Sequence, residues 1–298
     1  MNKKLHKKDL LTFSLPDIQT MTNYFVINPR LSISKVIDQL AEQIILTQRH
    51  KAEMPWKTTR KRKQFKTAIK HGDANKVKQL LKNLRVDPAI DNNWAIRESS
   101  EKGHADVVRL LLADARVDPT ADDNYAIRWS SMYGHTDVVK LLLADGRVDP
   151  TADNNYAIRH SSASGKADVV KLLLTDGRAD PTVDDNWAIQ VTSGSRVGLE
   201  GRTDVVRLLL EDGRADPAAF NNYGIRRSSK VGNTDVVRLL LADGRADPTA
   251  KDNAAIKLAR KNGHTEVVKL LLADGRVNPI ATTTRFRQQL EAYNGRTG

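Results

Sequence analysis

Three histidines are the residues of this chain whose type and spacing could support metal binding or catalysis. His104, His135 and His264 each follow a glycine, and the first two lie 31 residues apart in near-identical surroundings. A zinc site needs all its ligands at about 2.0–2.1 Å from one ion, which side chains one structural repeat apart cannot meet. Serines and aspartates recur at fixed places in the same way. The sequence therefore predicts no catalytic residue, no metal ligand and no cofactor.

A repeated segment of the chain positions these residues. The stretch 118–148 has near-copies on either side, each opened by an Asp-Pro pair. The pairs begin at Asp87, Asp118, Asp149, Asp180, Asp216 and Asp247, and Asn278-Pro279 is a final echo. Their spacings are 31, 31, 31, 36, 31 and 31 residues. A fixed period of this length indicates a solenoid of stacked repeats.

Each copy contains two segments with helical periodicity, which are 125–132 and 136–145 in the stretch above. Gly134 is expected to end the first helix and Thr136 to cap the second. The second helix has an apolar stripe too wide for one neighbour, as expected when its own repeat and both adjacent repeats cover it. One repeat alone could not bury this stripe.

The succession of a first helix, Gly-His and the second-helix sequence DVVKLLL resembles the ankyrin repeat over about residues 63–290. Ile127 stands at the family's leucine position and Arg128 at its histidine position. The common ankyrin period is about 33 residues, so we expect shortened fingers between these repeats. Such shortened units resemble arrays in protists and their large DNA viruses. The resemblance implies an all-α ankyrin-repeat solenoid of stacked helix-turn-helix units with short connecting fingers, and a non-enzymatic protein-protein interaction module.

The repeat boundaries predict five parts of the chain. They are an N-terminal helical extension (1–50), a basic linker (51–62), a degenerate N-terminal capping repeat (63–86), six ankyrin-type repeats (87–277) with a five-residue insertion near 194–202, and a C-terminal cap (278–298). The extension has an apolar face that the first repeats could bury. Alternatively it docks a ligase component, which would make the chain a substrate adaptor of a ubiquitin ligase.

The net charge of +12 is concentrated at the front of the chain. Residues 1–86 hold 19 Lys and Arg against 6 Asp and Glu, whereas residues 87–298 hold 29 against 30. The neutral array lacks the uniformly basic groove that nucleic-acid binding along a solenoid would favour. The absence of cysteine excludes disulfides and thiolate metal sites, and no apolar run reaches the length of a membrane span. We read the N-terminus as uncleaved and expect a cytoplasmic or nuclear location.

A basic segment precedes and enters the capping repeat. Its candidate residues are Lys57, Arg60, Lys61, Arg62, Lys63 and Lys66. Three interpretations stay open at this point. The segment is a solvated cap, a nuclear import signal, or a contact for nucleic acid or membrane. The second and third interpretations support a nuclear or nucleic-acid-associated factor as an alternative function.

Four columns of residues recur in the repeats and favour structural explanations. Asparagines such as Asn93 precede the first helices and suit turns. The aromatic column, Trp94, Tyr125, Tyr156, Trp187 and Tyr223, is expected to wedge between repeats, with base stacking as the alternative. The basic column, Arg97, Arg128, Arg159, Arg226 and Lys257, is expected to pair with aspartates such as Asp123, Asp153 and Asp184, with anion binding as the alternative. A second column that includes Arg147 reads as a solvated, self-neutralising edge.

Binding specificity should lie where the repeats differ. The outward positions of the first helices vary, and exposed aromatic and methionine side chains are typical of interface hot spots. The candidate partner-binding residues are Glu98, Glu101, Trp129, Met132, Tyr133, His160, Arg227, Lys230 and Lys261. The other interpretation is that these side chains pack against the N-terminal helices or a neighbouring loop. We expect a monomer that binds a partner protein on the concave face of the array. We expect no binding to a membrane, and nucleic acid is a less favoured partner than a protein.

Overall fold

The computed structural model describes residues 60–82, 86–194 and 202–277. The predicted extension 1–50, most of the basic linker, most of the insertion and the predicted cap 278–298 lie outside the described residues. The chain divides into two compact units. One comprises Met1–Phe65 and Lys82–Val86, and the other comprises Lys66–Leu81 and Asp87–Gly298 and contains the six repeats.

The described residues form fourteen helices and no strand, which confirms the predicted all-α solenoid of helix pairs. The helices are α1 (Arg60–Lys70), α2 (Ala74–Leu81), α3 (Ile90–Glu101), α4 (Ala105–Leu112), α5 (Ala121–Tyr133), α6 (Thr136–Asp145), α7 (Ala152–Ala163), α8 (Ala167–Asp176), α9 (Val183–Ser193), α10 (Arg202–Asp212), α11 (Ala219–Val231), α12 (Thr234–Asp243), α13 (Ala250–Lys261) and α14 (Thr265–Ala273). Helices α3 and α4 belong to repeat 1, and each later pair adds one repeat up to repeat 6. Helix α1 begins at Arg60, inside the segment that the sequence assigned to a linker.

The core follows the predicted periodicity. In repeat 2 the first helix buries Ile127, Ser130 and Ser131, and the second helix buries Val139 and Leu142, all completely. The small serines allow neighbouring first helices to approach closely. In the described part of repeats 4–6, one apolar cluster runs without interruption across the helix pairs. The array therefore builds its core from contacts between repeats, as a solenoid does.

A left-handed turn opens every first helix, and the sequence did not predict it. Three consecutive residues in each repeat have φ between 52° and 64°. These triplets are 91–93, 122–124, 153–155, 184–186, 220–222 and 251–253. Asparagine and aspartate tolerate this conformation better than other non-glycine residues, which explains their recurrence.

The last asparagine of the turn also joins neighbouring repeats. Asn93 is nearly buried, and its Oδ1 accepts a hydrogen bond from the backbone N of Asp118 at 2.8 Å. The same bond recurs from the backbone N of Asp149 to Asn124 at 2.8 Å and from that of Asp180 to Asn155 at 2.7 Å. This column of asparagines is therefore a series of bonds between repeats as well as a turn signal.

The turn between the two helices of a repeat differs in part from the prediction. Gly134 ends α5 in the left-handed conformation, as predicted. The prediction that Thr136 caps α6 is wrong, since His135 is the capping residue and makes no side-chain cap hydrogen bond. Its ring instead lies against Gly103 of the preceding repeat, and its Nε2 is 2.8 Å from the carbonyl oxygen of Glu101. The histidine therefore links repeats, which accounts for the Gly-His pairs.

None of the helices within the described ranges combines the length and apolar character that crossing a bilayer requires.

Candidate functional site

The outward positions of the first helices carry the predicted partner-binding residues, which occupy three regions of the array. Tyr133, Lys230 and Lys261 are exposed, and the other six are half-buried. The half-buried side chains make contacts within the array, and these contacts determine which of their atoms are accessible to a partner.

The two glutamates of repeat 1 are already engaged. Glu98 Oε1 accepts an ion pair from Lys102 Nζ at 2.8 Å. Glu101 Oε2 accepts a hydrogen bond from the Tyr125 hydroxyl at 2.7 Å. Burial and this bond raise the pKa of Tyr125, so the hydroxyl remains a donor. Glu101 thus serves to fix an aromatic ring of the next repeat.

Six rings form a continuous row across repeats 2–4, which we call the ring surface. Its members are Tyr125, Trp129, Tyr133, Tyr156, His160 and Trp187. The ring centroids of Tyr125 and Trp129 are 5.4 Å apart, and Trp129 lies 5.9 Å from both Tyr133 and Tyr156. His160 stacks on Tyr156 at 3.8 Å and reaches Trp187 at 5.7 Å. These distances are in the range in which aromatic pairs attract one another.

The ring surface combines two of the predicted columns. Trp129, Tyr133 and His160 were predicted as partner-binding residues, and Tyr125, Tyr156 and Trp187 as wedges between repeats. The ring contacts across repeats confirm the wedge, and they also show that the two columns are one surface. Helix angles within one repeat do not reveal this union, because it depends on how neighbouring repeats stack.

Met132 and His160 are held by the same row of rings. The Tyr156 hydroxyl contacts Met132 Sδ at 3.2 Å. Burial and the positive charge of Arg159 lower the pKa of His160. The imidazole is therefore neutral near pH 7 and stacks as an uncharged ring. Tyr133, at the edge of the row, is 44% exposed and is one of two large hydrophobic side chains classed as exposed in the described parts of the chain.

A shallow depression adjoins Tyr133 where the two helices of repeats 1 and 2 meet. It is lined by Lys70, Glu101, Lys102, His104, Tyr133 and His135. Its histidines are committed to bonds between repeats, since His104 Nε2 lies 3.2 Å from the carbonyl oxygen of Lys70. The depression extends the ring surface with a polar border.

The first basic column is an ion-pair ladder in its first half. Each guanidinium binds backbone carbonyls of its own left-handed turn and a carboxylate of the next repeat. The rungs are Arg97 Nη1 to Asp122 Oδ2 at 2.8 Å, Arg128 Nη1 to Asp153 Oδ2 at 2.6 Å, and Arg159 Nη1 to Asp184 Oδ2 at 2.9 Å. The same three guanidinium groups lie 5.4–5.9 Å from the next aromatic ring of the row. The structural ladder is confirmed for these rungs, although the partner of Arg97 is Asp122 and the predicted Asp123 is not a rung.

The ladder stops after Asp184. Gln190 replaces the next arginine and donates to the carbonyl of Asp185 in its own turn. Lys257 pairs with Asp252 of its own repeat at 2.6 Å. The predicted pairing with aspartates therefore also holds for Lys257, but within its own repeat and not as a rung to the next one.

The second arginine column does more than neutralise an edge. Arg147 Nε binds Asp145 at 2.7 Å, and its Nη1 donates to the carbonyl oxygen of Val117 in the preceding repeat at 2.9 Å. Arg178 repeats this pattern on Val148 at 2.9 Å. The pairs with aspartate confirm the self-neutralising edge, and the bonds to carbonyl oxygens also hold adjacent repeats together.

The basic end of the predicted surface lies on repeats 5 and 6. Arg227 Nε donates to the carbonyl oxygen of Gly194 at 3.3 Å. Lys230 and Lys261 are exposed. The candidate residues are thus not one cluster. The glutamates belong to repeat 1, the rings and Met132 to repeats 2 and 3, and the cations to the last two repeats.

The basic segment is helical from Arg60 onward, while Lys57 lies outside the described residues. Lys66 stands one repeat before Arg97 and forms the first rung of the ladder, with Nζ 2.6 Å from Asp91 Oδ2. It also lies 5.0 Å from the Trp94 ring. Lys66 is therefore engaged within the array.

No group of three or more histidine, aspartate or glutamate side chains suited to a metal ion occurs within residues 60–82, 86–194 and 202–277.

Stacked helix pairs, glycine-histidine turns and bonds between successive repeats define a helical repeat protein. Comparison with family models identifies the repeats: three ankyrin copies match residues 94–185, and single ankyrin repeats match 228–253 and 254–284. The chain belongs to the ankyrin repeat family. Ankyrin repeats are generally non-enzymatic protein-protein interaction modules. No curated protein sequence matches the chain significantly.

Solved ankyrin structures resemble the fold at low sequence identity. The human ASB11 ankyrin repeat domain is 18% identical, covers 72% of this chain and 97% of its own, and has a TM-score of 0.58. The ankyrin repeat protein EF0377 is 23% identical, covers 70% and 96%, and has a TM-score of 0.46. An ankyrin repeat domain from Acinetobacter baumannii AYE is 20% identical, covers 70% and 96%, and has a TM-score of 0.40. The likeness to ASB11 is one of fold alone.

Proposed function

We propose that this protein binds a partner protein through the ring surface of repeats 2–4, on the concave face of the array. The observation that carries the proposal is the row of six touching rings, half-buried along its length and exposed at Tyr133. Partly exposed, contiguous aromatic surface on a protein is typical of interaction sites. Tyrosine and tryptophan offer large contact areas with few rotatable bonds, so ordering them on binding costs little.

The ring surface is also held in place before a partner arrives. The Arg128 guanidinium lies 5.4 Å from the Tyr156 ring, and Glu101 fixes the Tyr125 hydroxyl. Preorganised side chains favour affinity because little conformational entropy is lost on association. A rigid row of rings should therefore bind a groove or helix of a partner with less loss of conformational entropy than a flexible polar surface would.

Charged positions on either side would orient the partner. The glutamates of repeat 1 are paired internally, whereas Lys230 and Lys261 are exposed at the other end. Charges at the rim of an interface chiefly affect the association rate and its salt dependence. We expect the ring surface to supply most of the affinity.

The test is affinity capture from a lysate of cells that contain the protein, with proteins identified by mass spectrometry. The variants are Tyr133→Ser, which removes the exposed ring, and Trp129→Ala, which removes the centre of the row. The control is Lys140→Ala, at an exposed position on the second helix of the same repeat. Thermal unfolding of each variant separates loss of binding from loss of fold.

The proposal predicts that Tyr133→Ser loses a specific protein that the intact chain and the control both retain. Its melting temperature should stay near that of the intact chain, because the ring is 44% exposed. Equal capture by all three proteins would contradict the proposal. A capture that consists only of nucleic acid and disappears in high salt would favour base stacking instead.

A further inference from the structure

The ladder breaks at a place where the repeats otherwise change little. In repeats 1–4 the turn begins with an aspartate, which is Asp91, Asp122, Asp153 or Asp184. Repeat 5 has Phe220 at this position and repeat 6 has Lys251. Each earlier aspartate receives a cation from the preceding unit. The last two repeats have lost the carboxylates that complete this arrangement.

Arg226 keeps the geometry of a ladder arginine but has no rung. Its Nε donates to the carbonyl oxygen of Asn221 at 2.9 Å and its Nη2 to that of Phe220 at 3.3 Å. Arg97 binds its own turn in the same way and uses Nη1 for Asp122 of the next repeat. The residue of the next repeat that corresponds to Asp122 is here Lys251.

By their places in the repeat, Arg226 and Lys251 correspond to a ladder arginine and to the carboxylate that it would bind. Within the ranges that the structure describes, neither Arg226 nor Lys251 forms an ion pair with an acidic side chain. Like charges at adjacent positions repel, so this pair is unfavourable until an anion lies between them. The three complete rungs show the distance at which an incoming carboxylate would bind Arg226 Nη1, 2.6–2.9 Å.

An exposed aromatic ring lies beside this cation pair. Phe220 is 64% exposed and adopts φ 53°, a conformation that is unusual for a bulky residue. Its ring lies 6.0 Å from that of Tyr223, which in turn lies 5.9 Å from the Arg226 guanidinium. A large apolar side chain held in solvent without burial is a feature that a binding partner can explain.

We propose that Phe220, Arg226 and Lys251 form a docking site for an acidic peptide segment of a protein. A carboxylate of that segment takes the place of the missing rung between Arg226 and Lys251, and an apolar side chain next to it covers Phe220. Lys230 and Lys261, exposed on the same two repeats, favour further acidic residues in the segment. A carboxylate is favoured over a phosphate because this array binds carboxylates at the same arginine atom in three other repeats. The site is separate from the ring surface and does not depend on it.

The array itself suggests the decisive variant, Lys251→Asp. This change supplies the missing carboxylate and should form the same rung with Arg226 that Arg97 forms with Asp122. Because the rung then occupies the site from within, binding of an acidic segment should be lost. The variant should also be at least as stable as the intact chain, so loss of binding cannot be attributed to unfolding.

The probe is an array of short synthetic peptides rich in Asp and Glu, with and without Leu or Phe, incubated with the labelled full-length protein. The peptide that binds best is then titrated by fluorescence polarisation at low and high salt. Phe220→Ser tests the apolar part of the site. Lys140→Asp makes the same change of charge at an exposed second-helix position and serves as the control. A labelled oligothymidine of similar net charge tests the nucleic-acid alternative.

The expected result is that peptides with both acidic and apolar residues bind the intact protein. Lys251→Asp and Phe220→Ser should each weaken this binding by about tenfold or more, and Lys140→Asp should leave it within about twofold. Variants of the ring surface should have no effect on this titration. Any one of three results overturns the proposal: no acidic peptide binds, Lys140→Asp weakens binding as much as Lys251→Asp, or oligothymidine binds as well as the peptide and competes with it.

Discussion

The asparagine that ends each left-handed turn is expected to stabilise the array through one hydrogen bond between repeats. Asn93 is 8% exposed, and its Oδ1 accepts the backbone N–H of Asp118 at 2.8 Å. Asn92 has the same backbone conformation, with φ 57° against 55°, but its side chain is exposed. The two positions therefore allow the hydrogen bond to be separated from the cost of the conformation.

The expected change in the free energy of unfolding is the sum of two contributions, the lost hydrogen bond and the strain of the left-handed backbone. Asn93→Gly removes the acceptor without backbone strain and leaves the Asp118 N–H partly buried and unpaired, which costs about 1–3 kcal/mol. Asn93→Ala adds the left-handed strain, roughly another 1 kcal/mol. Asn92→Gly should change the free energy of unfolding by less than about 0.5 kcal/mol, since it removes neither contribution. Asn92→Ala should lose about 1 kcal/mol from strain alone.

Urea denaturation followed by circular dichroism measures all four free energies of unfolding. The free energies are compared only between variants with the same denaturant slope, because a changed slope would show that the array no longer unfolds in the same cooperative way. If Asn93→Gly were within about 0.5 kcal/mol of Asn92→Gly, the hydrogen bond to Asp118 would contribute nothing measurable to stability. The recurrence of asparagine at this position would then be explained only by its tolerance of the left-handed turn.

Three further predictions concern the turns, the serines and the ring surface. Gly103→Ala should destabilise the protein by about 1–3 kcal/mol more than Gly146→Ala in urea denaturation, because both have similar positive φ but only the first brings a Cβ to 2.5 Å from His135 Nδ1. Ser131→Ala should leave the melting temperature unchanged or raise it, because the buried Ser131 Oγ has no hydrogen-bond partner in the structure; a clear decrease would show that this hydroxyl is satisfied. The unfolded chain gains a proton near the ordinary His160 pKa of 6.5, but burial lowers this pKa in the folded protein. Stability should therefore decrease as pH falls below about 6.5, and His160→Gln should show a smaller decrease because this side chain does not titrate.

The sequence was sufficient for the fold because the information is repeated. Several features recur in each repeat: the 31-residue period, the Gly134 stop, and the helix face of Ile127, Ser130 and Ser131. Each repeat therefore provides an independent check of the same prediction. Burial and helix bounds depend mainly on local pattern and on apolar spacing, both of which are visible in one dimension. The period, the Gly134 stop, the buried face and the bounds of α6 were predicted correctly, whereas α5 begins at Ala121, four residues before the predicted start.

The bonds between repeats could not be predicted in the same way. Asparagine is common in turns, but nothing in the residue type reveals three consecutive left-handed residues or an acceptor aimed at the next repeat. The same holds for His135, whose ring crosses to Glu101, and for Arg147, which reaches Val117. These contacts depend on how far one repeat is displaced from its neighbour, and the sequence alone does not supply that displacement.

The candidate sites show the same limit. The outward positions that include Trp129, Tyr133 and His160 were found from helix angles, but their contact with the aromatic column needed the stacked repeats. The sequence comparison did not single out Phe220 and Lys251, because it followed columns in which the same residue type recurs. Their importance lies in replacing an aspartate that faces the arginine of the preceding repeat. A search for departures from each column would have found both.

Site-specific photo-cross-linking from position 133 tests the central claim, that the ring surface binds a protein, most directly. A photoreactive phenylalanine analogue in place of Tyr133 keeps a ring at the exposed edge of the row, and the same analogue in place of Lys140 provides the control in the same repeat. The adducts formed in cells are separated by size and identified by mass spectrometry. If the ring surface binds a protein, a discrete protein adduct forms from position 133 and is absent from position 140. The same set of adducts from both positions, or none from either, would contradict it.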